Sequence, residues 1–404
     1  MRHYDSFCLL DSNASDSNSL DFLVAFSQEK ELIDSLDPFL DLEMFLNKSS
    51  DWMFGYLTYE LKNYVEELSS DNLDLHKFPI IHFFTAQIII NVKKQDVSIS
   101  YTNNFSSRDI DKLFSIICLT NENTSIIPPV SIKSRVEKED YINNIIEIKK
   151  HLKSGDIYEM NYCQEFYSDN CEIDPFLLFS TLNTISNAPF SSFYRINEHF
   201  CICASPERYL KKTGSRIISQ PIKGTIKKSD NPCLDKENQN ILLNSSKDLS
   251  ENVMIVDLVR NDLSRIAKKG TVKVDELTGL YTYKDVHHLI STISCELDSK
   301  STIVDAIQAS FPMGSMTGAP KIKAMELIEK FEDTLRGLYS GSIGYINPEK
   351  DFDFNVVIRS VFYNQQSQYL SFMVGGAITI DSDPELEYEE CLAKAKSIFK
   401  VLTQ

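Results

Sequence analysis

The chain has 404 residues, 42% of them hydrophobic, which is enough for a large buried core and longer than one typical domain. A formal net charge of −17 excludes a broad nucleic-acid surface, which needs a basic patch. Nine cysteines without a CxxC pair or regular spacing suggest neither a zinc site nor a disulfide framework, and free thiols in a reducing compartment are expected.

Residues 1–16 are polar and acidic and have no signal-peptide core. Residues 4–10 and 22–26 read as short strands around an Asn/Ser/Asp loop. Residues 51–60 carry Trp52, Phe54, Tyr56 and Tyr59 around Gly55, which suits a buried strand leading into a helix over 61–68. The most apolar run, 78–92, is broken by His82 and Gln87 and is too short to span a bilayer. A cytoplasmic protein with no membrane partner is expected. Residues 84–92 and 97–101 form a hairpin around Lys93-Lys94-Gln95-Asp96. The polar stretch 121–131, with Pro128-Pro129, reads as the linker between an N-terminal region (1–120) and a larger region (132–404).

Beyond the linker, Tyr141, Ile145, Ile148 and Leu152 share one helical face, and Gly155 ends that helix. Strands are expected over 157–166, 200–210, 216–226, 340–346, 354–362 and 369–380, with helices over 249–263, 319–331 and 386–402. Strands outnumber helices and often follow one another directly, which favours a largely antiparallel α+β fold.

Several segments carry chemistry. Gln220-Pro221-Ile222-Lys223-Gly224-Thr225 holds one lysine between an apolar pair and a glycine. In the helix that follows, Glu251 shares a stripe with Ile255 and Leu258. A carboxylate there needs neutralising, by an ion pair with Arg260 or Arg265 or by a metal. Glu387 and Glu390 share a face of the closing helix, with Lys394 one turn on; a charged surface face is the plain alternative. Oxygen ligands alone suit Mg²⁺ rather than zinc. Residues 311–321 open a helix with two glycines and Pro320, either as an ordinary capped turn or as a backbone site for a carboxylate or phosphate. Arg359 ends an apolar run and suits bidentate carboxylate recognition. His287-His288 precedes the strand-like 289–295.

In order along the chain, Gly155-Asp156-Ile157-Tyr158, Ser205-Pro206-Glu207-Arg208, 221–225, 250–262, His288-Leu289, Thr317-Gly318-Ala319, Ile358-Arg359-Ser360 and the final acidic helix resemble the chorismate-utilising enzymes. Gly55-Tyr56-Leu57-Thr58-Tyr59-Glu60 resembles their N-terminal region more loosely. The resemblance implies two stacked, mostly antiparallel β-sheets flanked by helices. It implies Glu251 and Glu390 as Mg²⁺ ligands and Glu387 as a ligand acting directly or through water, the metal binding the ring carboxylate of chorismate. It also implies Thr225, Thr317, Gly318, Tyr339, Arg359, Gly375 and Lys394 as substrate positions and His288 as an active-site histidine.

Lysine at position 223 is typical of the family's aminodeoxychorismate branch; the anthranilate branch has alanine there. The implied reaction joins chorismate and ammonia into 4-amino-4-deoxychorismate, on the way to 4-aminobenzoate and folate. The Lys223 amine attacks C2 and expels the C4 hydroxyl, then ammonia attacks C4 and expels the lysine. The attacking amine must be neutral, so a pKa lowered by burial or nearby positive charge is expected. Glu207 matches the family's proton donor to the departing hydroxyl; an ion pair with Arg208 is its plain alternative. No Gly-x-Cys-x-Gly nucleophile turn is present, so ammonia is expected from a separate glutamine amidotransferase subunit.

Two positions depart from the pattern. Isochorismate synthases place a water-activating lysine near position 159 and amide-forming branches a glutamine, whereas Glu159 stands here without an assigned role. The usual Gly-Ala-Gly is Gly375-Gly376-Ala377, which strains Ala377 only if that position needs a positive φ. Cys8-Leu9-Leu10-Asp11-Ser12 resembles a tryptophan-binding element of anthranilate synthases, although a strand end explains it too. An anthranilate-forming enzyme and a non-catalytic, ligand-sensing relative are therefore the alternatives.

Overall fold

The computed structural model describes residues 4–15, 21–94, 96–119 and 127–403. Every named strand pairs antiparallel with its neighbours, and all are joined by hydrogen bonds into one continuous sheet. Ten α-helices lie among the described residues, so the α+β expectation holds.

The sheet runs from the strand Glu159–Ser168 through Tyr369–Ile378, Ser360–Asn364, His199–Ser205, Phe190–Ile196, Ser6–Asp11 and Phe22–Ile33 to Ile81–Lys93. It continues through Met53–Leu57, Ser342–Ile346, Phe352–Asn355, Arg208–Thr213 and Arg216–Gln220 to Val286–Glu296. The expected two stacked layers are thus two halves of one sheet that folds back on itself. Tyr194 of the first half meets Tyr56 of the second edge-on, with ring centroids 5.1 Å apart. Alternation makes this possible: Cys8, Leu23 and Ala25 enter one core, while Phe7, Leu9, Val24 and Phe26 enter the other. The first core lies between the halves and under Ser246–Ser264. The second lies under the helices Lys138–Ser154, Pro175–Ser186, Lys321–Phe331 and Pro384–Leu402.

N-terminal strands pair directly with strands of the larger region, Ser6–Asp11 with Phe190–Ile196 and Met53–Leu57 with Ser342–Ile346. The expected linker falls partly outside the described residues. Gly155 ends its helix in the left-handed conformation, as its position suggested. The expected helix over 61–68 shrinks to a 3-10 turn and the single turn Lys62–Val65.

Three expected strands are each two. Residues 200–210 break before Arg208, 216–226 break at Pro221, and 354–362 break before Ser360. Pro221 offers no N–H to a ladder, and Arg359 has φ 53°, a left-handed conformation that interrupts regular pairing. Glu207, Lys223 and Arg359 lie at or next to these three breaks.

One buried ion pair holds the loops beneath the site. Arg336 and Glu332 form a bidentate pair (2.6 and 2.9 Å), and the same guanidinium donates to Met316 O (2.6 Å), Asn161 O (3.0 Å) and Ser340 Oγ (3.2 Å). Glu332 also accepts the Cys163 N–H at 2.9 Å, so the pair ties residues 316 and 340 to the strand Glu159–Ser168. Removing one member strands the other charge. Arg336→Met is therefore expected to lower stability by about 3–5 kcal/mol. Urea unfolding followed by circular dichroism checks this as a lower midpoint; an unchanged midpoint contradicts it.

Candidate active site

Lys223 is aimed by a β-bulge. Ile222 pairs with Ile290 and Thr225 with His288, so three steps on one strand face two on the other. Gly224 takes up the extra residue at φ 88°, where an added Cβ would lie 3.1 Å from the side chains of Asp248 and Leu242. The Lys223 side chain is buried, and its Nζ donates to Glu159 Oε1 at 2.5 Å. Glu159 is itself fully enclosed. It opens the strand Glu159–Ser168 opposite Ala319, and the short strand Gly318–Ala319 packs against it so closely that a Cβ on Gly318 would lie 2.2 Å from the Glu159 carbonyl oxygen.

The electrostatics around Lys223 differ from the sequence expectation. Burial alone pulls its pKa down, but the carboxylates of Glu159, Glu251 and Glu207 outweigh burial and hold it above the usual lysine value. The neighbours that set its charge are anions, not cations.

Glu207 points away from Arg208. Arg208 binds Asp353 (2.8 and 3.1 Å), so the plain alternative of a Glu207–Arg208 pair does not form. Glu207 is buried and accepts from Ser315 Oγ at 2.7 Å. Burial pushes its pKa up to about 7 against the opposing pull of Ser315, Lys223 and Arg359. Arg359 lies close enough to Glu207 to interact electrostatically, and its guanidinium makes no hydrogen bond among the described residues. His288 is enclosed; its Nδ1 lies 2.7 Å from Thr225 Oγ1, while Nε2 has no partner. Burial and Arg359 push its pKa down to about 3, so the ring is neutral at physiological pH.

The acidic helix residues form a second group. Glu387 is buried, unlike a surface face, and accepts from Lys247 Nζ (2.8 Å) and Ser382 Oγ (2.6 Å). Lys247 also lies 4.0 Å from Glu251. Neither Arg260 nor Arg265 serves Glu251; Arg260 pairs with Asp257 at 2.7 Å. Burial pushes the Glu251 pKa up to about 7. Glu390 is half-exposed and pairs with Lys394 at 2.9 Å, and Lys394 Nζ donates to Gly375 O at 3.0 Å. A Cβ on Gly376 would reach Glu387 Oε2 (3.3 Å), Lys394 Nζ (3.5 Å) and Glu390 Oε1 (3.9 Å), so these side chains converge over a bare stretch of strand.

No three His, Cys, Asp or Glu side chains among the described residues form a ready-made metal cage. The expected trio is instead divided by ammonium groups, Lys247 between Glu251 and Glu387, and Lys394 on Glu390. The donor set still suits a hard cation. Glu251 Oε1 and Glu387 Oε2 are buried carboxylate oxygens without hydrogen-bond partners.

The remaining expected positions are mixed. Tyr339 is buried, with its hydroxyl 3.4 Å from the sulfur of Cys163, the residue opposite Gly375. Thr317 spends its hydroxyl on Met313 O (3.1 Å), and Thr225 stands at an exposed edge. In the glycine-bearing segment, the Met316 and Thr317 N–H groups bond to Met313 O and Gly314 O within their own turn. Ala377 has no positive φ and continues its strand. Asp11 accepts from Asn13 N–H and Asn183 Nδ2, both at 2.8 Å, as a strand-end cap does.

Sequence reasoning missed Ser315 and Lys247, and gave Gly376 and Glu159 no role. Lys247 had a legible signal, since it precedes Glu251 by one helical turn. Ser315 had none, because a turn residue's direction depends on tertiary packing.

Residues 9–400 match the family described as chorismate binding enzyme. Aminodeoxychorismate synthase component 1 of Salmonella typhimurium is 36% identical over 319 residues, which cover 78% of this chain and 68% of that protein. A putative aminodeoxychorismate synthase of Schizosaccharomyces pombe is 39% identical over 268 residues, covering 66% of this chain and 37% of that protein. Anthranilate synthase component I from Streptococcus pneumoniae has the same fold, with a TM-score of 0.84 at 24% identity over 93% of this chain and 91% of that one. With the matched segment running nearly end to end and a relative 36% identical over 78% of the chain, the chain belongs to the chorismate binding enzyme family.

Proposed function

We propose that the chain converts chorismate and ammonia into 4-amino-4-deoxychorismate, the activity named for its bacterial relative. The observation that carries this reading is Lys223, a buried amine turned inward by a bulge and set among carboxylates. An amine held so, beside a carboxylate that can take its proton, can act as a nucleophile. Glu207, about half protonated near neutral pH, is the acid for the departing C4 hydroxyl. Arg359 supplies a cation for a substrate carboxylate, and neutral His288 offers an unpartnered Nε2.

Mg²⁺ is the proposed cofactor, held by Glu251, Glu387 and Glu390. It would supply positive charge for the ring carboxylate when bound. The oxygens of Glu251 and Glu387 that lack a hydrogen-bond partner support this reading, and Lys247 shows that these carboxylates accept a cation. Ammonia comes from a glutamine amidotransferase subunit, in keeping with the "component 1" of the relative's name. The enzyme works in the cytoplasm; the eight described cysteines are all free, and no described helix is long and apolar enough to cross a membrane.

Purified protein given chorismate, Mg²⁺ and ammonium salt is expected to form 4-amino-4-deoxychorismate, identified by mass spectrometry against standards. Lys223→Ala is expected to abolish it. Anthranilate as the product refutes this reading. The pH profile provides a second test. Burial raises the pKa of Glu207, so its acid form persists up to about pH 7 and is lost above. Turnover is therefore expected to fall as pH rises through about 7, and Glu207→Gln to lower kcat by about 10²–10⁴-fold. A Gln variant with native kcat rules out Glu207 as the acid.

A further inference from the structure

The Lys223 amine must lose a proton before it can attack, and its resting environment favours the ammonium. Glu159 answers that need. Its Oε1 already accepts from Lys223 Nζ at 2.5 Å, and Oε2 is buried without a partner. On either side of it, the Tyr158 N–H donates to Ala319 O (2.7 Å) and the Asn161 N–H to Thr317 O (2.9 Å), so the backbone that carries Glu159 is pinned. Among the described residues the amine's hydrogen bond goes to Glu159 alone. Glu207, from the turn before Arg208–Thr213, is bound by Ser315, and Glu251, from Ser246–Ser264, acts on Lys223 through its charge without a hydrogen bond.

We propose that Glu159 is the base that takes the proton of Lys223 before attack and returns it when the lysine leaves. This rests on the amination reading above. Moving one proton along an existing hydrogen bond turns a buried ion pair into a neutral amine and a neutral acid, which removes two charges from a site that resists them. The amine then forms a bond to C2 as both ring double bonds shift, C1=C2 to C1=C6 and C5=C6 to C4=C5, and the C4–O bond breaks; the hydroxyl takes the proton of Glu207 and leaves as water. The adduct carries a secondary ammonium, beside neutral Glu159 and ionised Glu207. Ammonia attacks C4 as both double bonds shift back and the C2–N bond breaks, releasing Lys223 as a neutral amine. The new C4 ammonium gives one proton to Glu207, and Glu159 returns its own to Lys223. Chorismate and ammonia have become product and water, and both carboxyls have regained their starting states.

The test follows the first half-reaction alone. The protein is mixed with chorismate and Mg²⁺ without ammonia, and the mass increase on Lys223, chorismate less water, is timed by quenched intact-protein mass spectrometry. The native protein is expected to gain it. Glu159→Gln is expected to gain it about 10²-fold or more slowly, the contribution of a positioned base. Glu159→Asp is expected to retain part of the rate, and added formate to accelerate Glu159→Ala; neither response follows from a purely structural role. Circular dichroism melting confirms that each variant is folded. A Gln variant that gains the adduct at the native rate overturns the proposal, as does an Ala variant that formate leaves slow beside an equally slow Asp variant. A native protein that aminates chorismate without ever gaining the adduct overturns the lysine-nucleophile reading itself, and that result is distinct from a failure of Glu159.

Discussion

Buried charge is the constraint from which the rest of this structure follows. Glu159, Glu207, Glu251, Glu332 and Glu387 are all enclosed, and each needs a cation, a donor or a proton. Lys223, Lys247 and Arg336 supply the cations, Ser315 and Ser382 supply donors, and burial leaves Glu207 and Glu251 ready to carry a proton near neutral pH. These groups divide by their solution. Arg336–Glu332 is complete, with both Glu332 oxygens and the guanidinium nitrogens engaged, and it acts as a clamp. Around Lys223 and Glu251 the solution is incomplete. Oxygens of Glu159, Glu251 and Glu387 and the Nε2 of His288 have no hydrogen-bond partner, which leaves polar atoms open to a ligand.

Backbone irregularities place these groups. A regular ladder would send alternate side chains to opposite faces and could not gather Glu207, Lys223 and Arg359. The bulge at Gly224 turns Lys223 inward, and the left-handed Arg359 separates two strands. Gly318 lets its segment press against the Glu159 backbone, so the acidic partner is fixed as firmly as the lysine. Strain of this kind persists only where surrounding structure enforces it, and here the sheet continues on both sides of each break.

Much of this was legible in the sequence. Alternation and turn residues found most strands, and the ordered motifs around Lys223, Glu251 and Glu387 pointed to the family. The breaks at Pro221 and Arg359 were read through, because a window of apolar residues looks the same whether one strand or two cross it. Several helices were missed despite a clear signal: Asp37-Pro38, Asp174-Pro175 and Asn231-Pro232 each place a capping side chain before a first-turn proline. Partners distant in sequence could not be read at all. Ser315 meets Glu207 across 108 positions, and Lys247 meets Glu387 across 140.

The same limit explains the error about Lys223. From sequence, a nucleophilic lysine calls for a lowered pKa, and burial supplies that term. Sequence could not show that Glu159, 64 positions away, stands in contact with the amine. A depressed pKa and a contacting base are two routes to one neutral amine. The first keeps the lysine neutral at rest, where it can react with any electrophile that enters. The second keeps it charged and soluble to the carboxylates around it until a substrate alters the balance of charge in the site. A glutamine at position 159 could hold the amine by a hydrogen bond but could not take its proton, so this chain's departure from the amide pattern coincides with the position in direct contact with Lys223.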